Sequence, residues 1–467
     1  MTNLDQDTRA RLRGLLGPSG YREGVALAAL DPGIEPGNFI AGVAALPTST
    51  AEVAAVVALC AKRKIPIVPL GGRTGLAKAG LSEPGQLVLL TSRMNRIIEI
   101  DPAAGVATVE PGVTLAALAA AAAPHGLTPG IDLAARDSCT IGGMIGTNAG
   151  GMEAFRHGPM RRRVLGLEVV MPNGEVFSDL KSIIKNNEGY DIKQLFIGAE
   201  GTLGVVTRAV LKLESDPGIR SAALCHMRDA AAAVALLHRL SRLPGGAQLT
   251  RAEILWRTHM NMTAEANGLR HLYAPETAGV SVIFEAASHQ DGVAQEALES
   301  VLSDVLAGEE SNTGLIDVLM PKNEKEVRDI WKVREDWAVD RAFPRGLWFD
   351  ISVPLVRIDT YMRTLAHRLK SLDPILQLFC IAHLADGNLH VTVNAPRPIP
   401  EHADAVAALV YDGLREMGGS LSAEHGIGLS RRAALERYGD PVKLAAMRAV
   451  KKALDPDGLM NPGKVVD

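Results

Sequence analysis

The sequence contains few cysteines and few aromatic residues. Its 467 residues include four cysteines, which are far apart and never form a Cys-x-x-Cys pair. This spacing argues against a zinc ribbon or an iron–sulfur cluster and indicates reduced thiols in a reducing compartment. Aromatic residues make up 4%, and the net charge is −4 with no long basic run. We therefore expect neither an aromatic surface on which bases stack nor a basic patch that binds nucleic acids.

Long hydrophobic runs are also missing. The longest apolar run, at residues 115–124, is too short for a membrane span, which needs about 20 residues. Residues 1–13 are polar and charged and lack the apolar core of a signal peptide. We therefore expect a cytoplasmic protein with no transmembrane segment. Hydrophobic residues make up 47% and charged residues 22%, which is ordinary for globular proteins.

The first half of the chain predicts a mixed α+β unit that ends near residue 215. Ser49 and Glu52 form a capping box that predicts a helix over residues 53–62, followed by a short buried strand at 65–68. Asn173-Gly174 predicts a hairpin turn. Beyond residue 216, helical stretches alternate with short strands, which predicts an antiparallel sheet with helices on one face.

Two loops in the first half are dense in glycine, at residues 69–76 and 141–151. Glycine lets backbone N–H groups approach a phosphate closely, and a dinucleotide has two phosphates. The alternative is that these turns simply pack tightly against strands. There is no Gly-x-Gly-x-x-Gly after the first strand and no phosphate-binding P-loop. A dinucleotide would therefore bind in a fold other than the Rossmann fold.

The second half contains His383 and His390, seven residues apart, and then the pair Glu424-His425. Two imidazoles and a carboxylate suit Zn²⁺ or a similar divalent ion, and three protein ligands leave one position open. His425 lies where a general base would be needed. The alternative is a buried pair of histidines held by hydrogen bonds.

These motifs together resemble the vanillyl-alcohol oxidase/p-cresol methylhydroxylase flavoprotein superfamily. The second half resembles the D-lactate/D-2-hydroxyglutarate dehydrogenase branch of this superfamily. The matching stretches are residues 383–390, Glu424-His425-Gly426 and residues 461–464. The resemblance runs from about residue 39 to the end. It implies three parts: a two-subdomain FAD-binding domain of the p-cresol methylhydroxylase type at 1–215, a cap domain at 216–415, and a C-terminal segment at 416–467. The cap would carry the metal-binding histidines. The C-terminal segment would carry Glu424 and His425 and pack back on the FAD-binding domain.

The same resemblance implies the site residues. His383, His390 and Glu424 would bind a divalent metal, with zinc as the expected ion. His425 would be the base, and Arg334 would bind the substrate carboxylate. Without the resemblance, Arg334 would be taken as a solvated helix charge. The FAD-binding residues would be Pro69, Gly71, Gly72, Arg73, Thr74, Gly75, Leu76, Ser138, Gly142, Gly143, Thr147, Asn148, Gly150, Gly151, Arg156, Gly158, Glu200, Gly201, Val205 and Asn461.

The implied reaction is oxidation of a D-2-hydroxy acid to the 2-oxo acid, with hydride transfer to flavin N5. The metal would bind the substrate hydroxyl and carboxylate while His425 removes the hydroxyl proton. Electrons would pass to an acceptor protein such as an electron-transfer flavoprotein or a cytochrome, because the chain has no cysteine cluster of its own. A homodimer is also expected.

Several positions depart from the pattern of the family. Arg73 stands where many relatives have asparagine, and no histidine is present in this loop, so we expect non-covalent FAD. Ala385 replaces a glycine, and Thr392 replaces an asparagine near the second metal histidine. Trp348 stands where relatives that take dicarboxylates have a lysine. A tryptophan cannot bind a distal carboxylate by charge, so the pocket formed by Trp348 and Thr392 favours an apolar, aromatic or short side chain. The alternative is that Trp348 only packs in the cap.

Three other functions compete with this prediction. The enzyme could be a D-2-hydroxyglutarate dehydrogenase proper. It could be a metal-dependent hydrolase built on the two histidines and Glu424, although the glycine loops would then have no explanation. It could also be a non-catalytic flavin-binding subunit, which would have no need of Glu424-His425.

Overall fold

The computed structural model describes residues 4–308, 313–396 and 402–467. They form two compact units. The first comprises residues 1–216 and 424–467, and the second comprises residues 217–423. Among the described residues, no helix is both long and apolar enough to cross a membrane.

The described α-helices are numbered in chain order. They are α1 Gln6–Gly20, α2 Val25–Ala28, α3 Thr50–Arg63, α4 Leu115–Ala122, α5 Ile141–Thr147, α6 Ala154–His157, α7 Met160–Arg163, α8 Ala230–Leu240, α9 Arg257–Ala266, α10 Val293–Ala307, α11 Glu324–Glu335, α12 Ala338–Ala342, α13 Ile358–Leu372, α14 Ala403–Tyr411, α15 Arg432–Tyr438 and α16 Pro441–Leu454.

The described β-strands are numbered in the same way. They are β1 Tyr21–Glu23, β2 Val43–Ala45, β3 Ile67–Leu70, β4 Leu87–Leu90, β5 Ile97–Asp101, β6 Val106–Val109, β7 Leu127–Thr128, β8 Val164–Val170, β9 Val176–Asp179, β10 Val205–Lys212, β11 Glu214–Ser215, β12 Ile219–Met227, β13 Gln248–Trp256, β14 Val280–Ser288, β15 Leu315–Leu319, β16 Leu347–Ser352, β17 Gln377–His383 and β18 Asn388–Asn394.

The first unit contains a four-stranded sheet in the order β1-β2-β4-β3, in which β2, β4 and β3 run parallel. Helix α3 begins as its capping box predicts, because the Ser49 side chain accepts a hydrogen bond from the Glu52 amide. The buried face of α3 packs in one apolar cluster with residues of β3 and β4. The buried residues Val53, Val56, Val57 and Cys60 recur at helical spacing and therefore lie on one face of α3.

A second sheet of the first unit is antiparallel, in the order β5-β6-β10-β8-β9. The turn at Asn173-Gly174 joins β8 to β9, as predicted, and Gly174 has the positive φ of 88° that such turns require. Residues 424–467 of the C-terminal segment belong to this unit. Met460 forms a parallel bridge to Ile67 of β3. The buried Lys451 of α16 donates to Asp455 and to the carbonyl oxygen of Thr202.

The second unit is built on a seven-stranded antiparallel sheet in the order β15-β12-β14-β13-β17-β18-β16. The mixed α+β class and the antiparallel sheet are thus confirmed. Neighbouring residues of a strand point to opposite faces. Leu224 and Cys225 are both fully buried, as are Ile254 and Leu255. Both faces of the central strands are therefore covered.

Candidate active site

The two glycine loops lie against each other in the first unit. One follows β3. The other, predicted as a loop at 141–151, forms the short helix α5 and the turn after it. A Cβ atom at Gly71 would overlap Thr140 Oγ1 and lie 3.2 Å from the Gly143 nitrogen. At Gly72 it would overlap the Ser138 carbonyl oxygen. Glycine is required because any side chain would push the two backbones apart.

Buried polar atoms around these loops have no hydrogen-bond partner among the described residues. They are Arg73 Nε, Thr140 Oγ1 and Asn461 Oδ1. Buried polar groups are normally satisfied, so each unpaired atom needs an explanation. A ligand rich in phosphate and carbonyl oxygens and hydroxyl groups would supply the missing partners. These residues therefore fit a bound dinucleotide such as FAD.

A further stretch, which carries the predicted FAD-binding residues Glu200 and Gly201, packs on α5. The amides of Gly198 and Glu200 donate to the carbonyl oxygens of Ile145 and Gly146, at 2.9 and 2.8 Å. All of the sequence-predicted FAD-binding residues lie in the first unit. Four of them are non-glycine residues with positive φ: Arg73, Asn148, Glu200 and Asn461. Such backbone conformations are costly and often concentrate at ligand sites.

The loop that carries Glu424 and His425 is attached to these same stretches of the first unit. Glu424 Oε2 accepts a hydrogen bond of 3.0 Å from the Gly151 amide, and His425 Nε2 lies 3.5 Å from Glu424 Oε1. The loop is also held by Glu200, whose carboxylate accepts from the amides of Ile427 and Gly428 at 2.7 and 2.9 Å. The predicted base thus shares one unit with the predicted FAD loops.

Glu200 is buried, and this changes its acidity. Burial raises the pKa of its carboxyl group to about 7, although the two amides and Arg431 act in the opposite direction. Gly426 approaches so closely that a Cβ atom there would lie 2.7 Å from Glu200 Oε1. Glu200 therefore acts as the anchor of the His425 loop, a role that its predicted place among FAD contacts did not indicate.

In the second unit, His383 ends β17 and His390 lies in β18. His383 Nδ1 lies 2.7 Å from Glu253 Oε1, and Arg334 Nε donates to Glu253 Oε2 at 2.7 Å. Glu253 is fully buried in β13. Burial alone would raise the pKa of Glu253, but His383 and Arg334 outweigh it, and the net effect lowers the pKa. One ionised carboxylate therefore orients two of the predicted site residues.

His390 has a similar arrangement. Its Nδ1 lies 3.7 Å from the buried Asp350 Oδ1, which also accepts a hydrogen bond from Asn388 Nδ2 at 2.7 Å. The two histidine rings are nearly perpendicular, and their Nε2 atoms are 3.4 Å apart. When each Nδ1 carries its proton toward a carboxylate, each Nε2 becomes the nitrogen that can bind a cation.

This geometry fits a metal ion. Two nitrogens that are each ~2.0–2.1 Å from a tetrahedral zinc ion lie about 3.3 Å apart, close to the 3.4 Å between the two Nε2 atoms. An ordinary hydrogen bond between two neutral rings would require one Nδ1 to give up its proton and face a carboxylate unprotonated. The buried carboxylates Glu253 and Asp350 disfavour this arrangement.

Sequence reasoning missed Glu253 and Asp350. Each is a charged residue in the middle of a strand whose neighbours are apolar and buried, such as Ile254 and Ile351. An acidic residue in such a position is rarely buried without a partner. This is the signal that was available in the sequence, although it does not identify the partner.

The predicted side-chain pocket residues are neighbours on the same sheet. Trp348 of β16 is paired in register with Thr392 of β18, so their side chains lie on one face. Thr392 is buried, whereas Trp348 is 47% exposed. The Trp348 ring lies 6.3 Å from that of Trp337. Trp348 is therefore not a core residue of this unit.

Comparison with known proteins identifies the family. A model described as "FAD binding domain" matches residues 41–179, and one described as "FAD linked oxidases, C-terminal domain" matches residues 217–465. The D-2-hydroxyglutarate dehydrogenase of Stutzerimonas stutzeri (strain A1501) is 32% identical over 90% of this chain and 89% of its own. The mitochondrial D-2-hydroxyglutarate dehydrogenase of Bos taurus is 33% identical over 90% of this chain and 76% of its own.

The chain belongs to the family of FAD-linked hydroxyacid dehydrogenases.

Solved structures show the same fold for this dehydrogenase. p-Cresol methylhydroxylase with substrate bound has a TM-score of 0.72 at 18% identity and covers 99% of this chain and 96% of its own. The 4-ethylphenol oxidase from Gulosibacter chungangensis also has a TM-score of 0.72, at 19% identity, over 98% of this chain and 96% of its own. The predicted superfamily, the fold type and the FAD cofactor of this dehydrogenase are thus confirmed.

The close contact between the glycine loops predicts that Gly72→Ala weakens FAD binding. The new methyl group would overlap the Ser138 carbonyl oxygen, and strain of this kind costs about 1–3 kcal/mol. We expect affinity for FAD to fall about tenfold, measured by titration of the apoprotein with FAD. Gly14→Ala, in α1 of the same unit, is the matched control, because a Cβ atom at Gly14 has no neighbour within 4 Å. Equal FAD affinity in both variants would contradict a role of the close contact between the glycine loops in FAD binding.

Proposed function

We propose that this dehydrogenase oxidises a D-2-hydroxy acid to the 2-oxo acid with the help of a divalent metal ion, zinc in the first instance. The observation that carries the proposal is the pair of histidine Nε2 atoms 3.4 Å apart, with each Nδ1 facing a buried carboxylate. An α-hydroxy acid offers a hydroxyl group and a carboxylate, which one divalent ion can bind together.

His383, His390 and Glu424 would hold the metal ion. Ala423, the last residue of the second unit, donates its amide to the carbonyl oxygen of Asp350 at 3.2 Å. Glu424 and His425 follow it directly in the sequence. Glu424 would supply the carboxylate ligand that the resemblance to the family implies. When bound, the metal ion supplies Lewis acidity at the substrate hydroxyl group, and FAD supplies the two-electron acceptor.

The residues of this chain would bind the substrate and move its proton. Arg334 uses Nε for Glu253, so its terminal nitrogens are available for two parallel hydrogen bonds to a carboxylate. His425, when neutral, removes the proton of the 2-hydroxyl group. The side chain of the substrate would extend toward Trp348 and Thr392, which supports a preference for apolar, aromatic or short side chains.

The route of the electrons after the flavin is also a proposal. The four cysteines are buried and separate, so the chain itself has no iron–sulfur cluster to conduct electrons. An external acceptor, such as an electron-transfer flavoprotein or a cytochrome, would therefore reoxidise the non-covalently bound FAD.

The first experiment is an anaerobic visible spectrum of the holoenzyme with a panel of D- and L-2-hydroxy acids. We expect at least one D-acid to bleach the flavin and its L-isomer to leave it unchanged. His425→Ala should keep FAD but reduce it about 10²–10⁴-fold more slowly, the usual contribution of a general base. The exposed His125→Ala, in the same unit, is the control. A near-normal rate of flavin reduction in His425→Ala would refute the assignment of His425 as the general base.

The metal proposal predicts that Glu424→Ala and His390→Ala lower the metal content of the purified protein. Loss of one ligand from a three-ligand site removes a large part of the binding energy. Metal per FAD is measured by inductively coupled plasma mass spectrometry, with the exposed Glu416→Ala as control. Retention of FAD in the variants separates loss of metal from unfolding. Unchanged metal stoichiometry would count against these ligands.

The pocket proposal predicts that Trp348→Lys shifts specificity toward D-2-hydroxyglutarate. A hydrogen bond to a charged group contributes about 1.5–3 kcal/mol, so its kcat/KM relative to D-lactate should rise about tenfold or more. Val356→Lys adds the same charge at a position that is 80% exposed in the same unit and should change nothing. If the unmodified enzyme already prefers D-2-hydroxyglutarate to D-lactate and D-mandelate by a large factor, the apolar pocket is refuted and the function is that of its named relatives.

A further inference from the structure

His259 lies in the first turn of α9, directly after β13. Its side chain is buried, with 6% of the residue exposed, and neither ring nitrogen has a hydrogen-bond partner among the described residues. A neutral imidazole has one donor and one acceptor, and leaving both unpaired in the interior is costly. An imidazole in this state indicates a partner that the protein itself does not supply.

The surroundings of His259 connect it to the side-chain pocket. Its ring meets Phe379 of β17 edge-on, with centroids 6.5 Å apart. Phe379 is paired in register with Thr392, and Thr392 with Trp348. Residues paired in register lie on the same face of a sheet. Trp348, Thr392 and Phe379 therefore form one row across three strands, and His259 covers the end of that row.

A second unpartnered polar side chain lies on the same strand face. Asn394 is two residues beyond Thr392 in β18, so its side chain points the same way. It is fully buried, and neither atom of its amide group has a partner among the described residues. The face that begins with His390 and continues through Thr392 thus leads to polar groups that need a ligand.

The imidazole of His259 is uncharged at neutral pH. Burial lowers its pKa to about 3, and the positive charges of Arg334 and His390 act in the same direction. A neutral imidazole cannot compensate a carboxylate by charge, and the nearby Arg334 is bound to Glu253. The row therefore suits an aromatic group with a neutral polar substituent better than a second carboxylate.

We propose that His259 binds an uncharged hydroxyl or carbonyl group at the far end of the substrate side chain, so that the preferred substrates are D-2-hydroxy acids with a hydroxyaryl or similar neutral polar side chain. This inference rests on the proposed oxidation of a D-2-hydroxy acid and specifies its substrate class. The ring of such a substrate packs along Trp348, Thr392 and Phe379, and its hydroxyl group pairs with a His259 nitrogen.

The inference is tested with matched substrates that differ by one hydroxyl group. The kcat/KM of the holoenzyme is measured for D-4-hydroxyphenyllactate and D-phenyllactate, and for D-4-hydroxymandelate and D-mandelate, with a dye as electron acceptor. A site built to bind a hydroxyl group discriminates strongly against the analogue that lacks it. We expect the hydroxylated acid of at least one pair to be preferred about tenfold or more.

Two variants assign this preference to His259. His259→Phe fills the same space without polar atoms, so the hydroxylated acid should lose its advantage, mainly through KM, while the acid without the hydroxyl group keeps its kcat/KM. His259→Gln retains a donor and an acceptor and should restore part of the preference. A purely structural role would lower the activity toward both acids of a pair equally and leave their ratio unchanged.

The outcomes separate the inference from the function on which it rests. In one outcome D-acids reduce the flavin, but the ratio of kcat/KM between the two acids of each pair is near one, or is unchanged in His259→Phe. The role of His259 is then overturned and the proposed function stands. If no D-acid reduces the flavin of the unmodified holoenzyme, both are overturned. If His259→Phe does not fold, the ratios of the unmodified enzyme and of His259→Gln decide.

Discussion

Glu253 orients two functional side chains from the interior of a sheet. Its carboxylate binds His383 Nδ1 on one side and Arg334 Nε on the other, and it is inaccessible to solvent. A buried charge is tolerated only when it is paired, and removal of one partner from such a group costs about 3–5 kcal/mol. Neither His383 nor Arg334 can therefore turn away without leaving a buried charge uncompensated. The orientation of the His383 imidazole and of the Arg334 guanidinium group follows from this constraint.

The first unit uses a second buried carboxylate in a similar way. Glu200 lies in a strained left-handed conformation and accepts hydrogen bonds from Ile427 and Gly428. The loop that carries His425 is thus tied to the stretch that also packs on the second glycine loop. Strain at Glu200 and at Asn461, whose side chain donates to the Glu200 carbonyl oxygen, is tolerated because the surrounding contacts leave no other conformation.

Local features were predictable from the sequence, and distant pairings were not. The capping box of Ser49, the turn at Gly174 and the glycine loops depend on a few neighbouring residues, so their pattern can be read directly. Glu253 and His383 are 130 residues apart, and no local pattern relates them. The roles of the histidines came from resemblance to a family. The strands of the cap sheet were harder to delimit, because fully buried strands lack the alternation that marks a half-exposed one.

The division of the chain separates the predicted FAD loops and the predicted base from the predicted contacts of the substrate side chain. The FAD loops and His425 belong to the first unit, whereas Arg334, the histidine pair and the row from Trp348 to His259 belong to the second. Substitutions in the row from Trp348 to His259 would therefore change the substrate preference. They would leave the predicted FAD loops and the loop that carries His425 undisturbed. Within the second unit, Glu253 lies between the histidine pair and Arg334, not in the row. The residues that would bind the 2-hydroxy-carboxylate group common to all substrates are thus fixed by a buried charge. The residues that would face the variable side chain are held by packing, which tolerates substitution far better.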